Sequence, residues 1–123
     1  MLPLATVLAL CAACASGTLV DGDYADADAP GVPDVIEQGW LPEFLPPDAR
    51  GISERHDLDT NEAVVLFTSA TFEVPPGCST APAAPQPALG ADWWEPQSGA
   101  ATFRCDDWYV ATAGDQVWAW LNP

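Results

Sequence analysis

Hydrophobic positions along this chain fall into three regimes. Leu2 to Ala13 is a predominantly apolar run that ends in small residues and is followed by Cys14. Residues 17–33 are acidic and rich in Ala, Gly and Pro, with few large apolar side chains. From Asp34 onward, short apolar stretches alternate with clusters of Gly, Pro, Asp and Asn, the punctuation of strands and turns. Asp34 to Trp40 has room for one helical turn, capped by Asp34 and stopped at Gly39. The three prolines between Leu41 and Arg50 exclude a regular helix or central strand. That segment is expected to lay Trp40, Leu41, Phe44 and Leu45 on a sheet. Residues 51–55 predict a short strand anchored by Ile52. Residues 63–72, with Val64, Val65, Leu66, Phe67 and Phe72, predict its antiparallel hairpin partner. Residues 79–90 predict an exposed loop, and 102–105, 108–113 and 116–121 predict further strands, the last two joined at Gly114-Asp115. Period-2 alternation puts Trp118 and Trp120 on one face and Val117, Ala119 and Leu121 on the other. The expected fold is therefore α+β, mostly β: a small antiparallel sheet of four to five strands with one or two short helical turns.

The apolar N-terminal run is shorter than the roughly 20 residues that span a bilayer and suits the hydrophobic region of an export signal. Two cleavage sites compete. Ala12-Ala13-Cys14 resembles the site of bacterial lipoproteins, in which Cys14 becomes lipidated. Ala13-Cys14-Ala15 instead fits ordinary cleavage after Ala15, which releases a soluble periplasmic or secreted protein. The lipoprotein reading divides the chain into a signal peptide at 1–13, a lipid attachment and flexible acidic tether at 14–33, and one globular domain at 34–123. No acidic residue follows Cys14 directly, so the resemblance implies the outer membrane, facing the periplasm.

Composition narrows the partners. The chain has 123 residues, and 49% of them are hydrophobic, including six Trp, which suffices for one small core. Three Arg and no Lys stand against eighteen Asp and Glu, a formal charge of −15. Such a balance excludes nucleic-acid binding, which needs cations to displace counterions, and electrostatic docking on anionic lipid. It admits a basic protein or divalent cations, and it is equally the composition of a merely soluble surface. In an exported protein Cys78 and Cys105 are placed for a disulfide; two buried thiols, or a two-cysteine metal site, are the alternatives.

Candidate chemistry is sparse. His56 is the single histidine. Asp57, Asp59 and Asn61 match the first three ligand positions of a calcium loop, but Glu62 replaces its Gly and Thr68 its closing Glu. The competing reading is a hairpin turn whose Asp and Asn side chains bond nearby amides. A hydrolase would need His56 as base, yet Ser53 falls on the opposite face of the strand and no G-x-S-x-G occurs. No catalytic residue, metal or cofactor is therefore expected. Trp93 and Trp94 form a candidate stacking platform for a sugar or peptide, against the alternative that they join the core. Adjacent positions in an extended segment cannot both face inward, which favours exposure of this pair.

The order Trp40-Leu-Pro-x-Phe-Leu-Pro, Ile52, His56-Asp-x-Asp-Thr-Asn61, Trp93-Trp-x-Pro96, Cys105 and Val117-Trp-x-Trp120 resembles a family of small, uncharacterised bacterial lipoproteins. The resemblance runs from Trp40 to Trp120 and implies an envelope location and a single α+β domain. It carries no activity. The expectation is a lipid-anchored, non-enzymatic module that binds another envelope protein, of undetermined oligomeric state. A sugar- or calcium-binding module, or an inhibitor or immunity-type lipoprotein acting on a basic partner, are the alternatives.

Overall fold

The computed structural model describes residues 17–96 and 98–123. The N-terminal run read as an export signal, with Cys11 and Cys14, lies outside them. Seven strands and one short helix follow in chain order: β1 (Leu19–Asp26), α1 (Val32–Glu37), β2 (Arg50–Asp57), β3 (Ala63–Thr68), β4 (Ser79–Thr80), β5 (Ala101–Cys105), β6 (Trp108–Ala113) and β7 (Gln116–Leu121). All strands join one antiparallel sheet in the order β1-β2-β3-β7-β6-β5-β4. The mostly-β, antiparallel expectation is met, with seven strands in place of four to five.

β3 and β7 sit side by side at the centre, paired from Ala63–Leu121 to Thr68–Gln116. Both are covered on two faces, so their apolar runs are nearly continuous. On the first face, Ile52, Val65, Phe67, Val110, Val117 and Ala119 pack beneath α1 and the proline-rich segment, with Val32 and Leu41 fully buried. On the second, Val64, Ala111, Trp118 and Trp120 pack beneath the chain between β4 and β5. The alternation expected for Trp118 and Trp120 against Val117, Ala119 and Leu121 is the observed one.

Four expectations are corrected. The acidic segment at 14–33 is not a tether through its length. β1 pairs with β2 from Leu19–Asp57 to Asp26–Arg50, and the Leu58 amide donates to the Thr18 carbonyl at 2.9 Å. Asp21 and Asp23 point away from the first face and bond Arg55 and Ser53 directly opposite. The alternation Val20, Gly22, Tyr24 against Asp21, Asp23 is thus a strand period hidden under an acidic composition. Second, the helix starts at Val32, with Pro33 in its first turn and Gly31 as a left-handed N-cap, so Asp34 is a first-turn residue and not the cap. The stop at Gly39 holds, its φ being 89°. Third, β3 ends at Thr68 and not at Phe72. The Ser69 amide turns to Asp115, and the Asp48 carboxylate accepts from the Ser69 hydroxyl and the Ala70 and Thr71 amides. Fourth, the predicted loop at 79–90 contains β4, and Ala84 and Leu89 pack on the second face. β2 also runs longer than predicted and absorbs a bulge beside Gly51, whose φ is 58°.

Candidate functional site

Alternation along β2 puts Ile52, Glu54 and His56 on the first face. Ile52 belongs to the core, so the two polar residues after it are carried inside. Glu54 is 2% exposed and His56 4%. His56 Nδ1 lies 2.7 Å from Glu54 Oε2. Trp40, delivered by the turn after α1, stacks on the imidazole with ring centroids 3.7 Å apart and planes 9° from parallel. On the β1 side Gly22 pairs with Glu54 and Val20 with His56. A Cβ on Gly22 would come 2.8 Å from the Tyr24 hydroxyl oxygen. Glycine at position 22 therefore lets the Tyr24 ring fold back along β1. The result is an acid–imidazole pair roofed by Trp40.

Burial decides its protonation. Loss of water pushes the Glu54 carboxyl up to about 8, and the charge of Asp21 adds to the rise. Burial also lowers His56, more than the nearby Asp21 and Asp57 raise it. Burial, then the charges of Glu54 and Asp23, raises Tyr24. Both members of the pair thus favour the neutral form, in which Glu54 and His56 Nδ1 share one hydrogen bond. On the opposite face of β2, Arg55 Nε donates to Asp21 at 2.6 Å and its Nη1 to the Gly90 carbonyl at 3.2 Å. The hydrogen bond to Arg55 holds Asp21 below the usual carboxylate range. The pair is largely exposed and is worth at most about 1 kcal/mol.

The other predicted site residues are dispersed. Asp57 accepts from the Asp59 amide at 2.8 Å, and Asn61 takes a left-handed φ of 61°. Asp57–Asn61 is thus a side-chain-braced turn, and no group of three metal-ligating side chains occurs among the described residues. Trp93 and Trp94 both pack against the second face, against the expectation that they stand out. They sit at a turn, which frees adjacent side chains from strand alternation. Trp94 meets Trp93 and Trp120 edge-on, a geometry that offers no flat double platform. The Trp94 and Trp118 indole N–H groups lack partners among the described residues. Cys78 and Cys105 form the disulfide. Glu54 and Trp40 complete the His56 cluster, and sequence reasoning assigned no role to Glu54. Its signal was a lone acid two residues from a lone histidine on a strand whose same face carries Ile52.

Residues 20–68 match the family model of the YbbD head domain. The match spans β1, α1, β2 and β3, including Glu54, His56, Trp40 and Gly22, and covers less than half of the chain. No curated protein matches the chain, and no solved structure does.

Proposed function

We propose that this chain, similar over residues 20–68 to the YbbD head domain, serves as a non-enzymatic protein-binding module of the bacterial envelope, lipid-anchored through Cys14. The observation that carries the reading is the fate of His56. The single histidine is 4% exposed, bonded to a buried acid and capped by Trp40, and an imidazole so enclosed does not meet a substrate. The Cys78–Cys105 disulfide supports an oxidising location. No helix among the described residues is long and apolar enough to cross a membrane.

Intact mass after expression in a bacterial host, for the wild type and Cys14→Ser, tests the anchor. The expected product begins at Cys14 and carries added acyl mass that Cys14→Ser abolishes. A soluble chain beginning at Ser16 would exclude the anchor and place the module free in the periplasm or outside the cell.

A further inference from the structure

Three cavities on the first face run into one another. The first, about 490 Å³, lies by Trp40 and Asn122. It shares Gly39, Asp107 and Leu121 with a second of about 310 Å³. The second shares Phe44, Cys105 and Asp106 with a third, also about 310 Å³, that ends at Cys78 and Pro75. Together they make a continuous groove between the chain that follows α1 and the β5–β6 turn. Its floor includes apolar side chains: Phe44, Leu121 and Cys78 are half-buried, and Leu41, Trp108 and Cys105 are buried. Its rim is acidic on both sides, with Glu37 and Glu43 facing Asp106 and Asp107 across it. All four acids are exposed, and none makes an ion pair among the described residues. Arg104 lines the first cavity, but its guanidinium is turned to the Asp106 carbonyl and the Tyr109 hydroxyl and makes no ion pair with a rim carboxylate among the described residues.

We infer that this groove is a docking site for an extended basic segment of another polypeptide, in which Lys or Arg alternates with apolar residues. Alternation is what the shape requires: apolar side chains reach the floor while cations meet the two rims. Charge selects the occupant. A second copy would bring another −15 and the same unpaired rim, so self-association through this face is disfavoured. An acidic or neutral segment would leave four carboxylates partly desolvated without compensation. The inference rests on the protein-binding reading above and adds the partner's chemistry to it.

The test is fluorescence anisotropy with a labelled eight-residue peptide of alternating Lys and Leu, on the full mature chain. Oligolysine and a Glu-Leu peptide serve as controls. The Lys-Leu peptide is expected to bind, weakening about tenfold between low and moderate salt. Oligolysine is expected to bind more weakly, and Glu-Leu not at all. Asp106→Asn with Asp107→Asn is expected to weaken binding about fivefold or more, since two of four rim charges are lost. Asp28→Asn with Asp115→Asn, an equal charge change at the far end of the sheet, leaves it unchanged. Amide shifts in an NMR titration should gather at Gly39, Phe44 and Asp106 to Trp108. No binding, equal affinity for oligolysine, or equal loss in both double variants would each overturn the groove as the site. Failure of the envelope reading would appear in the mass of the N-terminus, which this titration does not touch.

Discussion

Glu54 and His56 show how strongly one side-chain pair couples to pH. In the unfolded chain Glu54 loses its proton near 4.5, and in the fold near 8. A raised value means stability that is complete below the unfolded pKa and lost as pH rises through the folded one. His56 is lowered from its ordinary 6.5, so its contribution is present above that value and lost as pH falls. Below about pH 6.5 the two contributions therefore oppose one another, the lowered His56 offsetting part of the fall from Glu54. Between roughly 6.5 and 8 only Glu54 counts, and unfolding free energy should fall by about 2 kcal/mol. Denaturant titrations across that window check it. Glu54→Gln keeps the shape and the hydrogen bond to Nδ1 but should abolish the fall, leaving the opposite dependence of His56 below pH 6.5. A wild type whose stability stays level from 6.5 to 8 would rule out the neutral pair. The spacing of Glu54 and His56 was legible in the sequence, but their enclosure was not, because the roof is non-local: Trp40 comes from beyond α1.

At the scale of elements, the strands that read clearly were those in which composition and period agreed. β6 and β7 fell where the sequence placed them, since aromatic and β-branched positions and the Gly114 turn all point one way. β1 read as a tether because its charge dominates, although Asp21 and Asp23 merely occupy the outward positions of a strand. Gly22 is the residue on which β1 depends. Gly22→Ala puts a methyl 2.8 Å from the Tyr24 hydroxyl and 2.9 Å from its ring, and should cost about 1–3 kcal/mol by overpacking. In Tyr24→Ala the obstacle is gone, so the double variant should be more stable than the sum of the two losses predicts. Strict additivity in thermal unfolding would mean that the Tyr24 ring does not lie over Gly22.

Across the whole molecule, the sheet joins two meanders. β1 to β3, with α1, hold the matched segment; β4 to β7 carry the disulfide, and the two halves meet at β3–β7. Cys78 and Cys105 are 27 residues apart in sequence, and closing that loop should contribute about 3.5 kcal/mol by the chain-entropy account. Cys78→Ala with Cys105→Ala should lose roughly that amount, read from denaturant midpoints; a loss under about 1 kcal/mol would show that the β4 edge is held without its covalent link. Pairing of these cysteines was legible from the sequence, since two remain once Cys11 and Cys14 of the N-terminal apolar run are set aside. The groove was not, because its rim combines residues far apart in the chain, and its floor includes the disulfide itself.

Register fixes the direction in which the module faces. Leu19 lies across from Asp57, Ala63 across from His56 and Leu121, and Leu121 across from Trp108. The start of β1, the end of β7 and the Asp106–Asp107 turn therefore share one pole of the sheet. If Cys14 carries the proposed lipid, only residues 15–17 separate it from Thr18, whose carbonyl is already bonded to the Leu58 amide, a reach of at most about 14 Å. Under the proposed anchor the groove would be held in a shallow layer above the headgroups, where a partner embedded in the same membrane is confined alongside it and one free in bulk is not.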